Sequence, residues 1–207
     1  MQTANEYENA WWQTGKKCIV GIDEAGRGPI AGPLVVAGVA FPPGFHHDEI
    51  YDSKKVTDKK RRILFKEIIK LAQEYHILII EPKTIDELNI YRATQKAMQD
   101  IADMFTQADG VLTDAMPLPM SQVEHIPLVK GDQKSVSIAA ASILAKVTRD
   151  CIMEAYDHQY PQYGFAKHKG YPTKAHIEAM HRYGVIDGLY RYSYGPVSAM
   201  RQLTLDL

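Results

Sequence analysis

The pattern of apolar and polar positions predicts short buried strands interleaved with helices. Continuous apolar runs are typical of buried strands, and they occur at residues 18–22, 33–41, 76–81, 109–114 and 126–129. The last run contains Pro127, and a proline within a strand favours an edge position, because it cannot donate to a neighbour. The runs therefore predict a sheet of five strands.

Apolar residues spaced three and four apart predict the helices between these strands. One helix begins near Thr57, which can cap it, and its expected apolar face comprises Leu64, Ile68, Leu71, Ala72 and Tyr75. Thr84–Glu87 fits a capping box ahead of a longer helix through residue 105. An alanine-rich helix spans 135–157, and a short helix spans 173–184. The interleaving predicts an α/β fold with a mixed sheet and a helical C-terminal portion.

Composition excludes few function classes. The 207 residues include 24 basic and 25 acidic side chains, a net charge of −1, so any site for a polyanion must be a local patch. Cys18 and Cys151 lack metal-ligand spacing and favour a reducing compartment. There is no apolar run of about 18 residues and no signal peptide. The sequence therefore predicts a cytoplasmic protein with no membrane association.

Four carboxylates fall at strand ends or at a helix entrance, where ligand sites form in α/β sheets. Asp23 and Glu24 end the first apolar run, Asp114 ends the fourth, and Asp132 precedes the alanine-rich helix. Oxygen ligands favour Mg²⁺ or Mn²⁺, and two such ions about 4 Å apart suit a nuclease. Taken singly, Asp132 also fits a favourable charge at a helix N-terminus, and Asp114 also fits a turn residue.

Three further stretches suit a nucleic acid. Gly26-Arg27-Gly28 combines backbone that can approach a ligand closely with a phosphate-binding guanidinium, although such a tripeptide is also common in ordinary turns. Lys54-Lys55 and Lys59–Arg62 form a basic patch, although the second group fits a solvated helix face equally well. Lys167, His168 and Lys169 flank Tyr171, an aromatic side chain able to stack on a sugar or base.

These stretches resemble the bacterial ribonuclease HII family, a type 2 ribonuclease H. The matching blocks are Gly21–Pro29, Asp52–Lys55, Asp114, Lys130–Asp132, Ser137–Asp150 and His168–Thr173, in order from about Ile19 to Val197. The family's type 3 relatives carry an additional N-terminal domain, whereas only about fifteen residues precede the first strand here. In place of the family's His-Arg-x-Ser-Phe, the chain has Tyr190-Arg191-Tyr192-Ser193-Tyr194.

The resemblance implies a ribonuclease H-like fold, a five-stranded mixed sheet flanked by helices with a C-terminal helical extension. It implies that Asp23, Glu24, Asp114 and Asp132 are the catalytic, metal-binding acids. It implies two-metal hydrolysis of RNA–DNA hybrids and of duplex DNA on the 5′ side of an embedded ribonucleotide, leaving a 3′-hydroxyl and a 5′-phosphate. The implied substrate contacts are Gly26, Arg27 and Gly28 at the 2′-hydroxyl, Tyr171 at the next deoxyribose, and Ser53, Lys54, Lys55, Lys146, Arg149 and Lys169.

The expected organisation is an extension at 1–15, a catalytic domain at 16–200 and a tail at 201–207, in a monomer. Gln202–Leu207 resembles the peptide by which bacterial replication and repair proteins bind the sliding clamp, although an amphipathic end that packs on the fold has the same composition. Two other functions stay open at this point. One is a module that binds hybrids without cutting them, and the other is an exonuclease, which also needs clustered acids.

Overall fold

The computed structural model describes residues 5–51 and 56–205 and contains a five-stranded mixed sheet flanked by helices. The strands are β1 (Ile19–Ala25), β2 (Leu34–Ala40), β3 (Glu74–Ile80), β4 (Gly110–Asp114) and β5 (Glu124–Leu128). Their order in the sheet is β3-β2-β1-β4-β5. β1 pairs with β2 antiparallel and with β4 parallel, and β4 pairs with β5 parallel.

All five predicted strands are present, with two corrections. β1 extends beyond residue 22, because Asp23 pairs with Ala37 and Glu24 pairs with Val36 of β2, so both acids lie within the strand. β3 lies at one edge of the sheet and is only half-buried along most of its length, with Ile79 48% exposed. β5, which contains Pro127, forms the opposite edge as predicted.

The predicted helices are present as α2 (Asp58–Leu71), α4 (Ile90–Met104), α5 (Val136–Gln159) and α7 (Lys174–Tyr183). The structure also contains α1 (Glu6–Gln13), α3 (Pro82–Leu88), α6 (Phe165–His168) and α8 (Gly195–Leu205), which were not predicted individually. Thr57 caps α2 and Thr173 caps α7, each accepting a hydrogen bond from a backbone amide of the first turn. In the part of the chain that the structure describes, no helix is long and apolar enough to cross a membrane.

The capping box at Thr84 was a wrong prediction. Glu81 is the capping residue and Pro82 follows it in the first turn, where its fixed φ favours the helix and its missing amide costs nothing. Asn89, with φ of 64°, then separates α3 from α4, and its side chain accepts from Arg92 N at 3.1 Å. The expected apolar face of α2 also ends early, because Leu71 is 43% exposed and Tyr75 belongs to β3.

The chain divides into two compact units. The first, here called the sheet unit, comprises Met1–Ala25, Val35–Leu78 and Thr94–Val147; the second, the loop unit, comprises Gly26–Leu34, Ile79–Ala93 and Thr148–Leu207. In the sheet unit Trp11 packs with Ile19, Leu112, Leu128 and Ile138, and it anchors α1 to the sheet. The core of the loop unit is formed by Ile30, Ala31, Met153, Tyr163, Phe165, Met180, Leu189, Tyr190 and Val197.

The start of α5 lies directly on β1. A Cβ added at Gly21 would lie 2.3 Å from Ile138 N, so only glycine allows this approach. Glu8 of α1 fixes the same turn, because its Oε1 accepts from Ser135 Oγ at 2.5 Å and from Ser137 N at 3.1 Å. Burial raises the pKa of Glu8 above its usual value. These contacts hold the beginning of α5 immediately after the turn that carries Asp132.

Candidate functional site

Parallel pairing brings two of the predicted acids together. β1 and β4 are neighbours, and their register places Ile22 opposite Thr113. Asp23 and Asp114 follow these two residues by one position, at the same end of two parallel strands. In such a pair, neighbouring side chains at matched positions point to the same face of the sheet. The sheet therefore places Asp23 beside Asp114, with Glu24 next along β1.

Asp23 is a buried carboxylate in a negatively charged environment. It is 4% exposed, and its pKa lies well above the usual value, first because of burial and then because of the charges of Glu24 and Asp114. Hydrogen bonds from Glu24 N, at 2.7 Å, and from the side chain of Ser142 act in the opposite direction. Burial and like-charge repulsion both disfavour the ionised form, and a bound cation would remove both costs.

Asp114 connects this group to the turn that carries Asp132. Its Oδ1 accepts from Gly131 N at 2.9 Å, and Asp132 follows in a short 3₁₀ helix, Gly131–Gln133. Asp132 is 6% exposed. The turn begins at Lys130, which has a φ of 56°. The structure thus brings Asp23, Glu24 and Asp114 into one electrostatic group and places the turn of Asp132 against Asp114.

The donor chemistry of these residues fits a hard divalent cation. All four side chains offer carboxylate oxygens, the ligands that Mg²⁺ and Mn²⁺ prefer, and Asp23 carries a charge that burial disfavours. Within residues 5–51 and 56–205, no three carboxylate, imidazole or thiol side chains are already arranged to hold an ion. Two of the carboxylates instead accept hydrogen bonds from backbone amides, Asp23 from Glu24 N and Asp114 from Gly131 N.

The loop unit holds the predicted substrate-reading residues Gly26, Arg27 and Gly28, here called the reading loop. Gly26 has a φ of 105°, and a Cβ there would lie 2.2 Å from Arg149 Nε. A Cβ at Gly28 would lie 3.2 Å from the ring of Tyr171. Tyr171 is 46% exposed, and Arg27 is exposed. Tyr171 therefore presents an accessible ring beside Gly28 of the reading loop.

Arg149 requires a correction, because its guanidinium is not available to a substrate. The residue is 1% exposed, and its Nε, Nη1 and Nη2 donate to the carbonyls of Pro33, Lys169 and Ala31 at 2.9, 2.9 and 3.1 Å. Burial, and then the charge of Arg191, lower its pKa to about 10. Arg149 fixes backbone behind the reading loop and does not present its charge to solvent.

The structure describes two of the other predicted substrate contacts, Lys169 and Lys146. Lys169 is half-buried and its Nζ lies 2.8 Å from Glu154 Oε1, so its charge is already paired. Lys146 is half-buried on α5. Ser53, Lys54 and Lys55 lie outside the described residues.

Arg191 was noted in the sequence within the Tyr190–Tyr194 segment but was assigned no contact with the reading loop. This residue is fully buried, and it donates from Nε and Nη2 to Gly32 O and from Nη1 to Arg27 O. The sequence feature that could have identified Arg191 is its place in the Tyr-Arg-Tyr-Ser-Tyr segment, which corresponds to the family's His-Arg-x-Ser-Phe. The partners lie more than 150 residues away in the chain, so no local pattern identifies them.

A family model and a sequence relative both relate this chain to ribonuclease HII. The family model described as Ribonuclease HII matches residues 20–196. A Ribonuclease HII from Francisella tularensis subsp. tularensis (strain WY96-3418) is 52% identical over 183 residues, which cover 88% of this chain and 97% of that protein.

Two solved structures share the fold. The ribonuclease H2 of Pyrococcus horikoshii OT3 superposes with a TM-score of 0.80 at 24% identity, covering 92% of this chain and 100% of that one. The RNase HII of Archaeoglobus fulgidus, solved in complex with PCNA, gives a TM-score of 0.71 at 26% identity, with coverage of 84% and 92%.

Replacing Asp23 with asparagine should stabilise the metal-free protein. A carboxyl group whose folded-state pKa is raised contributes stability at low pH that is lost as the pH rises through that pKa. The wild type should therefore lose stability relative to Asp23→Asn as the pH rises above the usual pKa range of an aspartate, because the pKa of Asp23 is raised by burial and then by the charges of Glu24 and Asp114. At pH 7 in a chelator, we expect the variant to have a free energy of unfolding higher by about 1 kcal/mol or more, as measured by urea denaturation.

Asp103→Asn is the matched control, because Asp103 is an exposed carboxylate on α4 in the same unit. It should change the free energy of unfolding by less than about 0.5 kcal/mol. A variant Asp23→Asn that is less stable than the wild type at pH 7 would contradict the unfavourable burial of this charge.

Proposed function

Because this chain belongs to the ribonuclease HII family, we propose that it cuts duplex DNA on the 5′ side of a single embedded ribonucleotide. Membership makes it an enzyme, a ribonuclease H that acts as an endoribonuclease on RNA–DNA hybrids. Ribonucleases H depend on divalent metal ions.

The proposed catalytic group consists of Asp23, Glu24, Asp114 and Asp132. Its strongest support is the buried Asp23 with the charges of Glu24 and Asp114 acting on it, because such a group is costly unless it has a cation to hold. Two ions, Mg²⁺ or Mn²⁺, would supply an activated water and stabilise the leaving oxygen. The chain's own contribution is to hold these carboxylates on adjacent parallel strands and on a turn fixed by Asp114.

The proposed reading of the sugar rests on the reading loop and Tyr171. The 2′-hydroxyl distinguishes RNA from DNA, and a glycine-flanked backbone can contact it without rearrangement of side chains. The exposed ring of Tyr171 lies beside Gly28, so the next sugar would stack on it best when no 2′-hydroxyl protrudes. Together they would favour a ribonucleotide followed by deoxyribose. The proximity of the Tyr171 ring to Gly28, where an added Cβ would lie 3.2 Å from the ring, is the single observation that carries this preference.

A duplex with one ribonucleotide, incubated with magnesium or manganese, tests the proposal. We expect a single cut on the 5′ side of the ribonucleotide, leaving a 3′-hydroxyl and a 5′-phosphate, and this rate should fall roughly 100-fold or more in Asp114→Asn, since a proposed ion ligand is lost. Asp103→Asn should keep the wild-type rate. Trimming from the ends would favour the exonuclease, and an uncut duplex alongside a cleaved long hybrid would refute the single-ribonucleotide preference.

We also propose that the segment Gln202–Leu207 binds a sliding clamp. A relative, the Archaeoglobus fulgidus RNase HII, was solved in complex with PCNA, and a short peptide with spaced leucines suits apolar pockets on a ring. The backbone of residues 201–205 forms the last turn of α8, whereas Asp206 and Leu207 lie outside the described residues. Tethering of this kind raises the local concentration of the enzyme at DNA.

Deleting residues 202–207 should abolish binding to a purified bacterial sliding clamp, measured by surface plasmon resonance, because the segment supplies all of the proposed contact. Cleavage of a short duplex without the clamp should be unchanged. Leu205→Ala should weaken clamp binding roughly tenfold or more by removing an apolar anchor, whereas Ser198→Ala, at an exposed position of α8 outside the segment, should leave clamp binding unchanged. Equal affinity of the deletion variant and the full chain would refute the clamp proposal.

A further inference from the structure

Two donors converge on the carbonyl oxygen of Arg27 in the reading loop. Tyr194 Oη donates to this oxygen at 2.6 Å, and Arg191 Nη1 donates to it at 3.2 Å. The same Nη1 also donates to Tyr194 Oη at 3.1 Å. A carbonyl oxygen has two lone pairs, and both are engaged by protein donors in this arrangement. The three groups therefore form a closed triangle of hydrogen bonds behind the reading loop.

Arg191, one of the three groups in this triangle, is held in place by its other hydrogen bonds. Arg191 is fully buried, and its Nε and Nη2 both donate to Gly32 O, at 3.0 and 2.9 Å. Its backbone amide donates to Ile30 O at 2.9 Å. Its guanidinium also lies over the ring of Tyr194, with its carbon 5.3 Å from the centroid. Arg191 is thus fixed by the segment that follows the reading loop, and it holds the Tyr194 hydroxyl in place.

Fixing the Arg27 carbonyl also fixes the amide of Gly28. The carbonyl of one residue and the N–H of the next belong to one planar peptide group, so the direction of the Arg27 C=O determines the direction of the Gly28 N–H. Neither Gly26 nor Gly28 has a side chain to anchor the loop. Gly28 lies beside the exposed ring of Tyr171, where a sugar would stack. The hydrogen bond from Tyr194 consequently orients a backbone donor at the position of the sugar.

We propose that Tyr194 is a specificity-determining positioning residue, whose hydroxyl orients the Arg27–Gly28 peptide so that its amide reads the 2′-hydroxyl of the ribonucleotide. This inference rests on the proposed function of the reading loop and assigns a residue to its support. The substrate class is duplex DNA with a single ribonucleotide. The predicted role concerns recognition of the ribose and not general binding of the duplex, because Tyr194 contacts only backbone and Arg191 within this triangle.

Tyr194→Phe tests the proposal, because it removes one hydroxyl and keeps the ring. The first measurement is kcat/KM for cleavage of a duplex with one ribonucleotide, with KM and kcat determined separately. The second is the inhibition constant of the matched all-DNA duplex as a competitor, which reports general duplex binding under the same conditions. We expect kcat/KM to fall about fivefold, the effect of losing one neutral hydrogen bond, while the inhibition constant is unchanged.

Tyr192→Phe is the matched control. Tyr192 is a half-buried tyrosine two residues away, and its hydroxyl donates to Asp187 Oδ1 at 3.1 Å, away from the reading loop. It should leave both quantities at the wild-type value, and thermal unfolding should confirm that both variants are folded. An unchanged kcat/KM in Tyr194→Phe would overturn the proposal. Equal losses in kcat/KM and in all-DNA binding would also overturn it, since they indicate a general structural effect.

The wild type separates this inference from the proposed function. If the wild type cuts the single-ribonucleotide duplex and Tyr194→Phe cuts it equally well, the positioning role fails and the proposed function stands. If the wild type leaves that duplex uncut while it cleaves a long hybrid, the proposed function fails, and the role of Tyr194 fails with it.

Discussion

Asp23 lies near the end of a central strand, almost completely buried, with the charges of Glu24 and Asp114 acting on it. Burying one carboxylate without a cation is unfavourable, and adding two more negative charges increases the cost. The strand pairing makes this arrangement unavoidable, because parallel β1 and β4 in this register place Asp23 and Asp114 side by side. The fold therefore maintains a concentration of negative charge that a bound divalent ion would stabilise.

In the loop unit, side chains from outside the reading loop fix its backbone, because Gly26 and Gly28 have no side chains that could do so. Arg149 and Arg191 are both buried, and their guanidinium groups donate to five backbone carbonyls, those of Arg27, Ala31, Gly32, Pro33 and Lys169. Burial, and then the charge of Arg191, lower the pKa of Arg149, so placing two buried cations close together is unfavourable. The hydrogen bonds offset that cost, and they fix the backbone carbonyl of Arg27 in the reading loop and those of the segment that follows it.

Much of this fold was predictable from the sequence, because buried strands and amphipathic helices leave a local periodic signal. The acids at the ends of β1 and β4 were also predictable, since a carboxylate directly after a buried apolar run is costly to bury without a ligand. The order of the strands was not predictable, because no local feature of residues 19–25 indicates which strands lie beside β1. Arg149 was misassigned for a similar reason. A charged residue on an alanine-rich helix has no local feature showing that its partners, including Pro33, lie about 116 residues earlier in the chain.

The central claim, that four carboxylates converge to hold divalent cations, is tested most directly by a crystal structure of the protein soaked in manganese. Anomalous scattering would locate the ions without assumptions about the ligands. We expect manganese at this edge of the sheet, with carboxylate oxygens of Asp23, Glu24, Asp114 and Asp132 within about 2.0–2.6 Å of an ion. Manganese found only elsewhere on the protein, or bound at the edge with Asp132 directed away from it, would contradict the account.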